Sequence, residues 1–195
     1  MSTELITPAV NFSSGTEGSV PYIKIEGAKD FDLCAVMECG QCFRFTRVED
    51  SAHECEYSGV ALGRFIAVAE DGDTLYFYNT DAAEFDAIWR GYFGLDTDYA
   101  AIKRDILSRS DREVLREAVE VGGGIRILRQ DSWEALCSFI ISQNNNIPRI
   151  KGCIESLCRN FGEYAGSYRG EEYYSMPAPQ VLAALDIEDL APVRL

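Results

Sequence analysis

The hydrophobic period of the chain changes once, near residue 80, and this change limits the folds that are possible. Between Val20 and Asn79, short runs rich in aromatic and β-branched residues are separated by turn residues, which is typical of strands. From Ala82 onward, apolar residues recur three and four positions apart, which predicts helices. The order is sheet first and helices second. We therefore expect an α+β fold, or a small β-rich domain followed by a helical one.

Tight turns at Leu62-Gly63 and Asp71-Gly72-Asp73 make the predicted sheet antiparallel. Asp131 and Glu134 have the spacing of a capping box at the start of a helix. The predicted strands are Val20–Ile25, Phe43–Val48, Glu54–Val60, Arg64–Ala69 and Thr74–Tyr78. The predicted helices are a short turn within Asp30–Val36, then Ala82–Phe93, Tyr99–Leu107, Arg112–Val121, Trp133–Gln143, Ile147–Phe161 and Pro179–Leu185.

The composition excludes several classes of protein. No run of 18 or more apolar residues is present, so we expect no membrane span. Residues 1–18 are polar and lack the basic and apolar regions of a signal peptide, and we expect them to form a disordered lead-in. Seven cysteines without a secretion signal predict reduced thiols and a cytoplasmic protein.

The pair Cys39 and Cys42 has the spacing of a zinc or redox motif. A zinc site needs two further ligands, and His53 is the only histidine. A redox motif needs a helix start after a parallel strand, which the pattern does not show. Ordinary buried cysteines are the simpler interpretation, and we expect no metal and no cofactor.

The net charge of −14 argues against nucleic-acid binding, because phosphate contacts need a basic surface. The charge is uneven, however. Residues 125–160 contain five cations and three carboxylates, a net charge of +2. This segment is a basic island in an acidic chain, although charges scattered over solvated helix faces would give the same count.

Two segments have the composition of a binding site. Gly40 lies at a predicted helix-to-strand corner, where a glycine lets a ligand approach the backbone, although a simple turn glycine is the better interpretation on sequence alone. Asn144, Asn145 and Asn146 lie between two apolar helices beside Arg149. Primary amides carry donors and acceptors that match the edge of a base such as cytosine. One asparagine is explained as a helix cap, which leaves two unexplained.

These segments resemble the 8-oxoguanine DNA glycosylase family, over residues 31–195. The matching segments are Gly40–Arg44, Leu128–Asp131 and Phe139–Ile150, in the same order and with fitting spacing. Cys42, Gln143 and Pro148 depart from the familiar eukaryotic pattern, but none of them removes a proposed contact. The resemblance suggests a bacterial or archaeal, nucleoid-associated protein.

The resemblance implies an antiparallel sheet domain like that of the TATA-binding protein (residues 19–122), with covering helices. The first helices of an all-α glycosylase domain follow (residues 125–195). It implies base-excision repair: the enzyme flips oxidised guanine out of the duplex, cuts the glycosidic bond through a lysine Schiff base, and then cleaves the strand as an AP lyase. The implied partner of this monomer is duplex DNA that contains 8-oxoguanine opposite cytosine.

Carried onto this sequence, the resemblance gives Gly40 the role of reading the lesion through its carbonyl. Guanine has an acceptor at N7, where the oxidised base has an N–H. Placing the Gly40 carbonyl oxygen opposite the guanine N7 acceptor costs about 1–3 kcal/mol. Asn144 and Arg149 would hold the orphaned cytosine. The implied supporting residues are Gln41, Phe43, Arg44, Arg129, Asn145 and Asn146.

The catalytic lysine of the family is not matched. The lysines are Lys24, Lys29, Lys103 and Lys151, and none lies in a Leu-x-Gly-x-Gly hairpin context. We expect the nucleophile and its aspartate beyond Leu195, in a truncated or split gene product that is inactive alone. A non-catalytic damaged-DNA-binding module and a non-functional remnant are the alternatives.

Overall fold

The computed structural model describes residues 11–193, which form two compact units. The first unit contains residues 11–39, Ser51–Glu56 and Val68–Arg129. The second contains Gly40–Asp50, Tyr57–Ala67 and residues 130–193. The expected domain boundaries at residues 122 and 125 stay a prediction, since each unit combines segments that are distant in sequence.

The predicted antiparallel sheet is confirmed. It has six strands in the order β1-β2-β6-β5-β4-β3, and β2 pairs with β6 so that Ile23 lies opposite Phe77. The turn between β4 and β5 is Leu62-Gly63, where both residues have positive φ. The strands are β1 (Phe12–Glu17), β2 (Val20–Glu26), β3 (Phe45–Arg47), β4 (Cys55–Ala61), β5 (Arg64–Asp71) and β6 (Thr74–Tyr78).

The expectation of a disordered lead-in over residues 1–18 is wrong for β1, which pairs with β2 along its whole length. The ring of Phe12 packs on Phe85, with centroids 5.1 Å apart. At Gly15 a Cβ atom would lie 2.6 Å from the Tyr22 ring, so glycine lets that ring cover the strand. The serine, glycine and threonine residues of β1 are typical of loops, but tertiary contacts hold this segment as an edge strand. Residues 1–10 lie outside the described part of the chain.

The helices of the first unit follow the predicted periodicity. Phe77 of the sheet packs on Phe85 and Phe93, with centroids 5.2 Å apart in both pairs. Trp89 is fully buried beside them, so the aromatic face of this helical stretch is core as expected. The elements are α1 (Leu33–Glu38), α2 (Ala82–Glu84), a π-helical segment (Phe85–Trp89), α3 (Arg90–Tyr92), α4 (Tyr99–Arg109) and α5 (Glu113–Val121).

The expectation of seven reduced cysteines is wrong for one pair. Cys34 of α1 and Cys55 of β4 form a disulfide, with Cα atoms 6.5 Å apart. The two residues are 21 positions apart in sequence, so only the packing of α1 against the sheet brings them together. The loop that this bond closes contains the Gly40 corner.

The second unit is built on two helices. α7 has an apolar face of Ile150, Cys153, Ile154 and Leu157, which packs with Ile141 of α6. Its further elements are a hairpin that is not predicted from sequence, a short helix and a 3-10 segment. The elements are α6 (Ser132–Ser142), α7 (Ile147–Phe161), β7 (Tyr164–Tyr168), β8 (Glu171–Tyr174), α8 (Pro179–Ala183) and the 3-10 segment (Ile187–Val193).

Among residues 11–193, no helix is both long enough and apolar enough to cross a membrane.

Thiol titration tests the disulfide. The chain unfolded without reductant should show five reactive thiols, and seven after reduction, because Cys34 and Cys55 are bonded. Replacing both residues with serine should lower the free energy of unfolding by about 3 kcal/mol, because the closed loop restricts the unfolded chain. Seven thiols before reduction, in protein purified without reductant, would contradict the bond.

Candidate nucleic-acid interface

Gly40 occupies a backbone conformation that favours glycine. Its φ is +82°, in the left-handed region, directly after Cys39 at the C-terminal end of α1. A Cβ atom there would meet no heavy atom within 4 Å, so conformation and not space selects glycine. Another L-residue would cost about 1–2 kcal/mol. The residue is exposed, which leaves its main chain open to a ligand.

Side chains from the helical part of the second unit hold the segment after Gly40. Gln130 Nε2 donates to the Gln41 carbonyl oxygen at 2.5 Å. Lys151 Nζ donates to the Phe45 carbonyl oxygen at 2.9 Å. Phe43 is partly buried and packs against the apolar cluster of α6 and α7.

Arg44 is a structural residue, because its guanidinium is buried within the second unit. The side chain is 4 % exposed and donates to the carbonyl oxygen of Tyr174 and, at 2.7 Å, to Cys158 Sγ. Its Nε lies 3.9 Å from Glu134 Oε1, and its Nη1 lies 3.8 Å from Glu155 Oε2. The guanidinium therefore joins β8, α6 and α7 around one charge inside the second unit.

Burial also changes the acid–base properties of the groups around Arg44. It raises the pKa of the Glu134 carboxyl to about 7, although the nearby Arg44 charge opposes this shift. It raises the pKa of the Cys158 thiol to about 12, so that this cysteine is a neutral packing residue. Asp131 caps α6 as predicted, but the Glu134 side chain faces Arg44 and does not complete the capping box.

Two of the three asparagines complete helix ends. Asn146 is the N-cap of α7, and its Oδ1 accepts from the Arg149 main-chain N–H at 3.1 Å. Asn145 Nδ2 donates to the Ile141 carbonyl oxygen at 3.1 Å, near the end of α6. Only one amide, and not two, is therefore left unexplained by helix capping.

Asn144 is the remaining amide. Its φ is +52°, a left-handed conformation that asparagine tolerates better than most residues, and it is exposed. Within residues 11–193, its side chain makes no hydrogen bond. The reversal of the chain at this position presents the amide to solvent between α6 and α7.

Arg149 lies in the first turn of α7 and is exposed. It lines a cavity of about 570 Å³ with Gly152, Ser156 and Pro192 of the same unit. The structure thus leaves Asn144 and Arg149 exposed at one helix junction.

Arg129 lies in the first unit and forms a salt bridge with a carboxylate. It makes a bidentate pair with Asp96, at 2.6 and 2.8 Å, and also donates to Thr97 Oγ1 at 3.2 Å. The guanidinium keeps the pKa of Asp96 below its usual value. Through these contacts Arg129 holds the loop after α3 in place.

Three lysines are engaged by the protein itself. Lys24 pairs with Glu26 at 2.6 Å, Lys103 pairs with Asp30, and Lys151 holds the Phe45 carbonyl oxygen. Lys29 is exposed. Among the described residues, no group of three His, Cys, Asp or Glu side chains could hold a metal ion.

Two contributing residues, Gln130 and Lys151, have no predicted role in sequence. Gln130 lies within a segment that matches the family, which is a signal that it occupies a specified position, but its partner is 89 residues away. Lys151 is distinguished in sequence only by its place after the asparagine segment.

The chain is similar to known proteins over most of its length. Residues 24–136 match the family model described as the 8-oxoguanine DNA glycosylase N-terminal domain. The N-glycosylase/DNA lyase of Saccharomyces cerevisiae is 31% identical over 169 residues, which cover 78% of this chain and 42% of that protein.

Three solved structures, two of them of one protein, match with a TM-score of 0.81. The protein named MBOgg1, in complex with a low-affinity DNA ligand, is 42% identical, over 94% of this chain and 60% of that chain. The 8-oxoguanine glycosylase/lyase of Clostridium acetobutylicum, bound to duplex DNA with cytosine opposite 8-oxoguanine, is 35% identical, over 94% of this chain and 59% of that chain. The chain spans three fifths or less of the length of these relatives.

The raised pKa of Glu134 predicts a pH-dependent stability. The contribution of this carboxyl to stability is fully present below about pH 4.5 and is lost as the pH rises through about 7, because the buried group must then ionise. As the pH rises from about 4.5 to about 8, the free energy of unfolding of Glu134→Gln should therefore rise relative to that of wild type by up to about 3 kcal/mol.

Urea unfolding at several pH values measures this difference, and Glu155→Gln is the control because that side chain is 47 % exposed. Glu70 also titrates near 7, since burial raises its pKa, but it is common to both proteins and cancels. A pH-independent difference would show that Glu134 is not the buried acid.

Substitution of Asn146 should destabilise the protein more than substitution of Asn144. Asn146→Ala removes the cap of α7 and should cost about 1 kcal/mol, whereas Asn144→Gly keeps the left-handed backbone and should change stability by less than about 0.5 kcal/mol. Denaturant unfolding measures both variants. Equal losses would contradict the assignment of one amide to structure and the other to solvent.

Proposed function

Because the chain belongs to the 8-oxoguanine DNA glycosylase family, we propose that its residues recognise an oxidised guanine and the base opposite it in duplex DNA. We further propose that this recognition precedes removal of the base and cleavage of the strand. Relatives that share the chain's fold and sequence include a protein solved with such a duplex.

The lesion is read at Gly40. The carbonyl of this exposed, left-handed glycine attracts the N7–H of the oxidised base and repels the N7 acceptor of guanine. The two bases differ little in shape, so a fixed acceptor is the feature that distinguishes them. An acceptor facing an acceptor costs about 1–3 kcal/mol, which corresponds to roughly 5- to 150-fold in affinity.

The orphaned base is read at the junction of α6 and α7. Cytosine presents an amino donor and two acceptors on its pairing edge. The Asn144 amide accepts from the amino group and donates to the ring nitrogen, and the Arg149 guanidinium donates to the remaining acceptor, the carbonyl oxygen. Flipping the lesion out of the duplex frees this edge.

One observation carries the proposal: among three adjacent asparagines, two complete helix ends and the third is turned to solvent beside an exposed arginine. A purely structural junction would use all three amides internally. The exposed amide of Asn144, which makes no hydrogen bond within residues 11–193, supports a ligand with a donor–acceptor edge.

We assign the nucleophile to a residue outside residues 1–195. Lys24, Lys103 and Lys151 are engaged by the protein itself, and a lysine held as a cation by carboxylate or carbonyl partners is a poor nucleophile. This favours, as a second candidate function, a damaged-DNA-binding role for the chain when it is alone.

Binding to duplexes tests the recognition. Fluorescence anisotropy at low salt should show tighter binding to a duplex with 8-oxoguanine opposite cytosine than to its undamaged counterpart, and binding should weaken as salt rises. Asn144→Gly should reduce the preference for cytosine over adenine opposite the lesion by about tenfold. Equal preference in this variant and wild type would remove Asn144 from the site.

Borohydride trapping with the same duplex tests the catalytic assignment. We expect no covalent adduct with the 195-residue chain, because none of its four lysines lies in a nucleophile context. An adduct mapped to any of them would overturn this assignment. The recognition proposal would not be affected, because the binding experiment tests it separately.

A further inference from the structure

We propose that Gln130 and Lys151 are positioning residues that set the specificity of the Gly40 corner. Lys151 holds the main chain that reads the lesion to α7, the helix that reads the opposite base, and Gln130 holds it to the segment before α6, so that the two form a clamp. The inference rests on the proposed function and extends it to two residues that need not touch DNA.

The clamp acts at both ends of a five-residue segment. Gln130 holds the carbonyl oxygen of Gln41, at 2.5 Å, and Lys151 holds that of Phe45, at 2.9 Å. Both donors come from long side chains of the second unit, one just before α6 and one on α7, and both acceptors belong to the main chain. Between them, the buried Arg44 fixes the middle of the segment.

Gly40 itself has little that restrains it. Glycine has the largest conformational freedom of any residue, and this one is exposed with no heavy atom within 4 Å of its Cβ direction. Its carbonyl belongs to the peptide group that joins it to Gln41. A hydrogen bond that holds the next carbonyl restricts the dihedral angles of Gln41, and so limits the directions in which the Gly40 carbonyl can point.

Lys151 joins the two recognition elements. It lies two residues after Arg149 on α7, whose N-cap is Asn146. Within residues 11–193 its ammonium group makes no ion pair, and its hydrogen bond is to the Phe45 carbonyl oxygen. The helix that presents the orphan-base contact therefore also holds the lesion-reading corner, as recognition of the two halves of one base pair requires.

Loss of the clamp should affect selectivity more than affinity. An unrestrained carbonyl can turn away from a guanine acceptor and so avoid the repulsion on which discrimination depends. Phosphate contacts elsewhere are unchanged, apart from the one charge that a Lys151 variant loses. The affinity ratio between damaged and undamaged duplex is therefore the sensitive quantity.

The test uses Gln130→Met and Lys151→Met, which keep side-chain length and remove the donors. The matched controls are Gln180→Met and Lys29→Met, at exposed positions outside the clamp. Dissociation constants for 8-oxoguanine:cytosine and guanine:cytosine duplexes give the ratio. Amide hydrogen exchange over residues 40–46, without DNA, reports the clamp directly, and thermal unfolding confirms that each variant is folded.

We expect both clamp variants to reduce the affinity ratio by about tenfold and to speed exchange over residues 40–46, while the controls change neither. Lys151→Arg should restore both, because a guanidinium can also donate to the Phe45 carbonyl.

Two results would overturn the inference. In the first, wild type prefers the damaged duplex and the clamp variants keep its ratio. In the second, exchange over residues 40–46 does not change. A wild-type ratio of one would instead show that the proposed function fails, and the inference would fall with it.

Discussion

The second unit depends on one buried cation. Placing a guanidinium at 4 % exposure is unfavourable unless its donors are satisfied and its charge is balanced. Arg44 meets this condition only in part, because its Nε has no hydrogen-bond partner within residues 11–193 and its carboxylate partners lie 3.8 and 3.9 Å away. Its remaining donors engage a main-chain carbonyl and a thiol on β8 and α7. The strand segment after Gly40 is therefore held against the helices by a contact that needs all of these elements in place.

The asparagine segment shows how local conformation divides identical side chains between two tasks. Asn145 and Asn146 bond to the main chain and fix the end of α6 and the start of α7. The left-handed backbone at Asn144 reverses the chain between these two helix ends. Its amide is thus presented on a junction that its neighbours make rigid, which is the arrangement that recognition of a base edge needs.

The parts of the fold that are governed by period and local chemistry could be predicted from sequence. The sequence pattern predicts the bounds of β6 and α7 at the residues observed, and it also predicts the cap at Asp131. The features that were missed depend on distant partners. β1 needs Phe85 to order a polar sequence, and the disulfide needs α1 packed on the sheet. The hairpin β7–β8 has left-handed residues at Arg169 and Gly170, but its strands are short and weakly patterned. The clamp of Gln130 and Lys151 has no periodic signal, since a hydrogen bond across 89 residues is specified only by the finished fold.

The most direct test of the central claim is nuclear magnetic resonance of the labelled chain during titration with a duplex that contains 8-oxoguanine opposite cytosine. If Asn144 and Arg149 read the orphaned base, the side-chain amide of Asn144 and the guanidinium of Arg149 shift on binding. The amides of Asn145 and Asn146 change little, because they remain bonded to the main chain. Shifts that leave Asn144 and Arg149 unmoved while the duplex is bound would contradict the account.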